Sequence, residues 1–134
     1  MRQILKLLCG LILLSVTGCD IENIDKSPRE EADAWLKPGA DSTEVGKALL
    51  ECGMPSLINL DSANKNRSLN QIATIYACMV QAGFRKKSGG PYWCYNYKDL
   101  PICQPGAIIP QRSVEKRLNS PFCKRSPVQP ECKP

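Results

Sequence analysis

The chain contains no histidine at all. That removes the commonest general base and the commonest metal ligand in one stroke. Aromatic residues are scarce, with two tryptophans, four tyrosines and two phenylalanines. No Cys-x-x-Cys pair occurs, so neither a zinc knuckle nor a thioredoxin-like redox motif is announced. No serine or cysteine constellation stands in for a catalytic triad. The composition therefore points to a non-enzymatic protein with no catalytic residues, no metal and no cofactor. Acidic residues are thin in the second half, where residues 62–134 hold twelve bases against three acids, Asp99, Glu115 and Glu131. Residues 20–61 are the reverse, ten acids against four bases. The basic half is free to meet an acidic partner or the acidic half of its own fold. It lacks any recognisable nucleic-acid-reading module, so nucleic acid is not expected as a partner.

One apolar run is present, Leu7 to Val16, preceded by Arg2 and Lys6. It is shorter than the roughly 18 residues a membrane-spanning helix needs, and its flanks suit a secretory signal. The run ends in Val16-Thr17-Gly18-Cys19, which resembles the lipobox of bacterial lipoproteins. That resemblance implies a signal peptide over residues 1–18, with cleavage before Cys19 and acyl chains (diacylglycerol, then a fatty acid such as palmitate) on Cys19. Two or more chains hold a protein firmly on a membrane. The expected location is the bacterial cell envelope, lipid-anchored. Asp20 resembles an inner-membrane retention signal in enterobacteria, which leaves the choice of membrane open. Residues 19–26 read as an acidic tether with a reach of about 26 Å when extended.

With Cys9 in the signal and Cys19 lipidated, six cysteines remain: Cys52, Cys78, Cys94, Cys103, Cys123 and Cys132. An even number in an exported chain reads as three disulfides. The last four belong to an internal repeat. Trp93-Cys94 and Phe122-Cys123 each start a unit aromatic-Cys-x6-Pro-x-Cys-x-Pro that ends at Pro105 and Pro134. Local closure, Cys94–Cys103 and Cys123–Cys132, is favoured because each copy carries its own turn-forming prolines; pairing one copy with the other is the rival. Local closure leaves Cys52 to Cys78. Loop entropy assigns that bridge roughly 3.5 kcal/mol and each short loop about 2.7 kcal/mol.

Four helices are expected in the mature chain. Ser27-Pro28-Arg29-Glu30 carries a start signal for a short helix to Leu36, stopped by Pro38-Gly39. Asp41-Ser42-Thr43-Glu44 starts a second, with Val45, Ala48, Leu49 and Cys52 on its buried face and Gly53 and Pro55 at its end. A polar loop covers Asp61 to Arg67. Ser68-Leu69-Asn70-Gln71 is a capping box for a third helix, with Leu69, Ile72, Tyr76, Met79 and Val80 on one stripe and Gly83-Phe84 as its C-terminal cap. Arg85, Lys86 and Lys87 follow, where positive charge suits a helix C-terminus. A short fourth helix is expected near Gln111 to Asn119, with Val114 and Leu118 on one face. Eight of the eleven prolines lie from Pro91 onward, which limits regular structure there.

The fold class is thus mainly α, a helical hairpin followed by two small disulfide loops in an irregular C-terminal region. Residues 27–87 form the helical part and 88–134 the Cys/Pro-rich stapled tail. Tyr92, Trp93, Tyr95 and Tyr97 are the densest aromatic cluster and, with Arg85, Lys86 and Lys87, the candidate contact surface for a partner. The competing use of these aromatics is core packing.

Trp35-Leu36-Lys37-Pro38-Gly39, then Cys52, then Cys78-Met79 through Gly83-Phe84, resembles a pattern in small bacterial lipoproteins of unassigned function, Trp-x-Lys/Arg-Pro-Gly … Cys … Cys-Met-x-x-x-Gly-aromatic. The resemblance implies the helical hairpin and its Cys52–Cys78 staple. Pro38-Gly39 through Glu44-Val45 to Gly53-Met54-Pro55 is similar to the first helix of SmpA/OmlA-type assembly lipoproteins, which continue into a three-stranded sheet. In function class the chain reads as a protein-binding envelope lipoprotein, contacting another envelope or extracellular protein. The alternatives are a surface inhibitor or phage-exclusion factor, or a structural envelope component.

Overall fold

The computed structural model describes residues 31–90 and 92–134; the expected signal peptide (1–18), Cys19, the expected tether (19–26) and the expected helix start Ser27–Glu30 lie outside them. A 3-10 turn at Ala32–Ala34 leads into a two-residue strand, β1 (Trp35–Leu36). It pairs antiparallel with β2 (Arg85–Lys86), Trp35 opposite Lys86 and Leu36 opposite Arg85. The first helix was expected to run to Leu36, so its end is corrected here to an extended pair. Extension lets Trp35 bury its ring, 4% exposed, with its centroid 5.1 Å from that of Tyr76.

Helix α1 (Ser42–Glu51) starts where the Asp41 carboxylate accepts the Glu44 N–H at 2.9 Å. Its expected face, Val45, Ala48, Leu49 and Cys52, is buried, and so are Gly46, Leu50 and Glu51. The helix is therefore enclosed on most of its circumference. The segment Asp61 to Arg67, expected as a polar loop, contains a one-turn helix, α2 (Ser62–Lys65). Buried Asn64 accounts for it. Its amide donates to the Ser56 and Ile58 carbonyls at 3.0 and 2.9 Å and accepts from the Ser56 N–H at 3.1 Å.

Helix α3 (Leu69–Gln81) has the full capping box. Ser68 Oγ accepts from the Gln71 N–H and Gln71 Oε1 from the Ser68 N–H. Ile75, Cys78 and Met79 face the core, and Ala73 is buried on the side turned to the first stapled loop, whereas Leu69 and Val80 stand 47% and 50% exposed. The expected stripe was rotated toward these two, because the Cys52–Cys78 bridge turns Ile75 and Cys78 toward α1. Both helices end alike. Gly53 and Gly83 take φ of +102° and +93°, and the next residue's N–H reaches back to Leu49 O and Met79 O. That residue, Met54 or Phe84, is buried.

The C-terminal part is short helices and turns: α4 (Trp93–Asn96), a 3-10 turn at Pro101–Cys103, α5 (Val114–Leu118), α6 (Pro121–Arg125) and a 3-10 turn at Pro130–Cys132. Cys94–Cys103 and Cys123–Cys132 each close locally, with Cα–Cα distances of 5.2 Å in both. The two stapled loops follow the same course. Tyr97 and Ser126 donate to Trp93 O and Phe122 O, and Cys103 and Cys132 to Leu100 O and Gln129 O. Their backbone angles match as well, φ/ψ −133/65° at Tyr97 and −132/61° at Ser126.

The tail docks on the acidic half through charge. Glu51 accepts from Arg112 Nε at 3.0 Å and Arg117 Nε at 2.9 Å. Arg117 also donates through Nη1 to the carbonyls of Glu131 and Lys133. This corrects the expected face of the fourth helix: Arg117 is its buried residue, while Val114 and Leu118 are 50% and 39% exposed. Burying an arginine is compensated here by a carboxylate and two carbonyls. Arg125 pairs with Asp61. The Ala63 N–H, and after it Arg125, hold the Asp61 carboxyl below its usual range, at about 2. Phe122, Cys123 and Cys132 join Leu49, Leu50 and Leu57 in one core.

Candidate partner-binding groove

The outward face of α3 is only partly covered. Ala73, Tyr76, Ala77, Val80 and Gln81 recur at helical spacing and line one side of an open groove of about 570 Å³. The opposite side is the first stapled loop and its continuation, with Tyr92, Trp93, Cys94 and Tyr95, then Ile102 and Ile109. Two hydrogen bonds hold this wall to the helix. Asn70 Oδ1, in the first turn of α3, accepts from the Ile102 N–H at 2.9 Å. Gln81 Nε2, in the last turn, donates to Pro110 O at 3.3 Å. The Cys94–Cys103 bridge fixes the wall's own shape.

The aromatic cluster divides between surface and interior. Tyr92 and Tyr95 are 71% and 80% exposed, and Tyr97 is 43% exposed. Trp93 is half-buried, stacked against Tyr97 with centroids 5.5 Å apart, and its indole N–H is buried with no partner among the described residues. Tyr92, Trp93 and Tyr95 line the groove; Tyr97 supports Trp93 from outside it.

The basic residues do not act as α3's terminal charge. Lys37 does: its Nζ donates to Ala82 O at 2.9 Å and lies 5.0 Å from the Phe84 ring centroid. A lysine 45 positions upstream thus satisfies the helix end. Sequence reasoning assigned no role to Lys37; its signal lay in the Trp-x-Lys-Pro-Gly run. Arg85 and Lys86 instead form β2. Lys86 Nζ sits 5.5 Å from the Trp35 ring centroid, in a crevice it shares with Glu31, Arg67, Tyr76 and Trp93. Tyr76 and Trp93 border both crevice and groove, so Lys86 lies beside the groove. Arg85 and Lys87 are exposed.

Of the six bridging cysteines, Cys94 alone is exposed, with Cys103 half-buried and the other four buried. Among the described residues no three or more Cys, Asp or Glu side chains cluster as a metal site would require. No helix there is long and apolar enough to cross a membrane. Cys19, the predicted lipid site, lies outside the described residues. Comparison with family models, with curated proteins and with solved structures finds no match, so the functional reading rests on the groove and its rim.

Proposed function

We propose that this chain is a lipid-anchored lipoprotein of the bacterial cell envelope that binds another protein through the groove between α3 and the aromatic loop, with no catalysis of its own. The observation that carries the reading is the groove itself. A helical stripe is left open by its own fold and faced by tyrosines that stand 71% and 80% exposed. Tyrosine and tryptophan dominate protein contact energies. The lipobox-like Val16-Thr17-Gly18-Cys19 supports the anchor.

Cross-linking in the intact envelope tests the binding. The wild-type chain should capture a defined protein. Val80→Glu, at a half-exposed position, should cut that capture at least tenfold while leaving thermal stability unchanged, and Tyr95→Ala should weaken it. An identical capture pattern from wild type and Val80→Glu would sink the groove as the binding site. For the anchor, Cys19→Ser should remove the lipid mass and release the chain from the membrane fraction. Retention of the variant on the membrane would count against lipid attachment there.

A further inference from the structure

We infer that the groove receives an acidic amphipathic helix presented by the partner protein; this rests on the protein-binding reading above. Shape comes first. Ala73, Tyr76, Ala77, Val80 and Gln81 span about two helical turns, roughly 12 Å of axis. Alanines at 73 and 77 keep the floor shallow, so a second helix can approach and lower two or three large apolar side chains between α3 and Tyr95.

Charge then selects the kind of helix. Residues 62–109 contain six bases and one acid, Asp99, in the first stapled loop. Arg85, Lys86, Lys87 and Lys98 make no ion pair among the described residues. The carboxylates that do pair, Glu44, Glu51 and Asp61, belong to α1 and the loop before α2, and are matched by Lys47, Arg112, Arg117 and Arg125. Lys86 and Arg67, in the crevice beside the groove, form no ion pair among the described residues. Glu31 shares the Lys86 crevice, but Arg67 stands there too, so the balance remains positive. Carboxylates flanking the apolar stripe of an incoming helix would meet Lys86 and Arg67 in the crevice that adjoins the groove. Such rim charges set the sign of the preferred partner and speed its arrival.

The test uses the full mature chain carrying Cys19→Ser and two synthetic peptides. Both have the same leucines at helical spacing; one carries glutamate at the remaining positions and the other lysine. Tryptophan fluorescence and amide chemical shifts report binding. The glutamate peptide should bind at least tenfold tighter than the lysine peptide, lose its affinity in Val80→Glu, and weaken several-fold in Lys86→Gln and at high salt. Equal or tighter binding of the lysine peptide, still abolished by Val80→Glu, would overturn the acidic partner and leave the groove reading intact. If neither peptide binds, the helical occupant is overturned, and envelope capture by wild type against Val80→Glu decides the groove separately. Anionic phosphatidylglycerol vesicles that bind in a Val80→Glu-sensitive way, with no peptide binding, would replace the helix by a lipid surface.

Discussion

The two stapled loops trace the same backbone, yet one is mostly wet and the other is part of the core. Trp93 and Phe122 hold matching places, as do Ile102 and Glu131. The second loop buries Phe122 to 2% exposure and Glu131 to 0%, whereas Cys94 and Tyr95 of the first are exposed. Short covalent loops with fixed prolines thus define a shape, and the contacts offered by the rest of the fold decide where that shape goes. The first loop docks on α3 through a neutral hydrogen bond from Ile102 to Asn70. The second docks under α1 through a buried ion pair, with Arg117 joining Glu51 to the loop's last carbonyls.

The sharpest way to break this comparison is to remove one docking partner at a time. Glu51→Ala leaves Arg117 buried without its carboxylate and should cost about 3–5 kcal/mol. Asn70→Ala should cost only about 0.5–1.5 kcal/mol. Denaturant unfolding of the two variants checks this, and equal losses would mean that the two loops are held alike. Next comes Gly46→Ala. A Cβ at Gly46 would lie 2.9 Å from both Glu131 Cγ and Leu57 Cδ1, so the Glu131 and Leu57 side chains must give way. The expected loss is about 1–3 kcal/mol, with amide shifts concentrated at residues 121–133 rather than 93–103.

A gentler probe is partial reduction. Thiolate attack needs access to sulfur. Limited dithiothreitol followed by alkylation and mass spectrometry should therefore label Cys94 and Cys103 at least tenfold sooner than Cys123 and Cys132. Simultaneous labelling would show that local burial does not protect the second bridge. The smallest effect is a response to acid. Asp61, at about 2 in the fold against roughly 4 when unfolded, contributes stability that is complete above pH 4 and lost as pH falls toward 2. Arg125 on the second loop supplies part of this, and its counterpart on the first loop, Asn96, has no charge to offer. Arg125→Asn should flatten part of the acid-induced loss in a thermal series between pH 5 and 2. The Ala63 N–H, the larger contributor, should preserve the remainder.

What the sequence made legible was local chemistry. The Ser68–Gln71 capping box, the Asp41 cap, the left-handed Gly83 and the closure of each Cys-x8-Cys unit all depend on residues within ten positions of each other. The mainly helical class with a stapled C-terminal region followed from them. What stayed hidden is non-local or too short to have a period. A two-residue ladder such as Trp35–Leu36 on Arg85–Lys86 has no alternation to read. Helix α2 is stabilised by the polar side chains of Asp61 and Asn64, so hydropathy is silent there. Glu51 finds Arg112 and Arg117 across 61 and 66 residues, and no spacing rule reaches that far. The groove was half legible. The aromatic cluster stood out, but its division into exposed Tyr92 and Tyr95 and half-buried Trp93 depends on how α3 is rotated by its disulfide.

The left-handed Gly83 has a wider consequence through Lys37. A Cβ at Gly83 would meet Lys37 Cε at 3.3 Å, and the same lysine holds Ala82 O and covers Phe84. Lys37, Gly83 and Phe84 therefore make a single latch, closed across a gap of more than forty residues. Its parts are expected to be inherited or lost together. A descendant that gave up the lysine would be released from one reason to keep the glycine's neighbourhood open, and its cation would need replacing at the helix end. Relatives too divergent to recognise residue by residue would then be found by asking whether this set of three survives as a set.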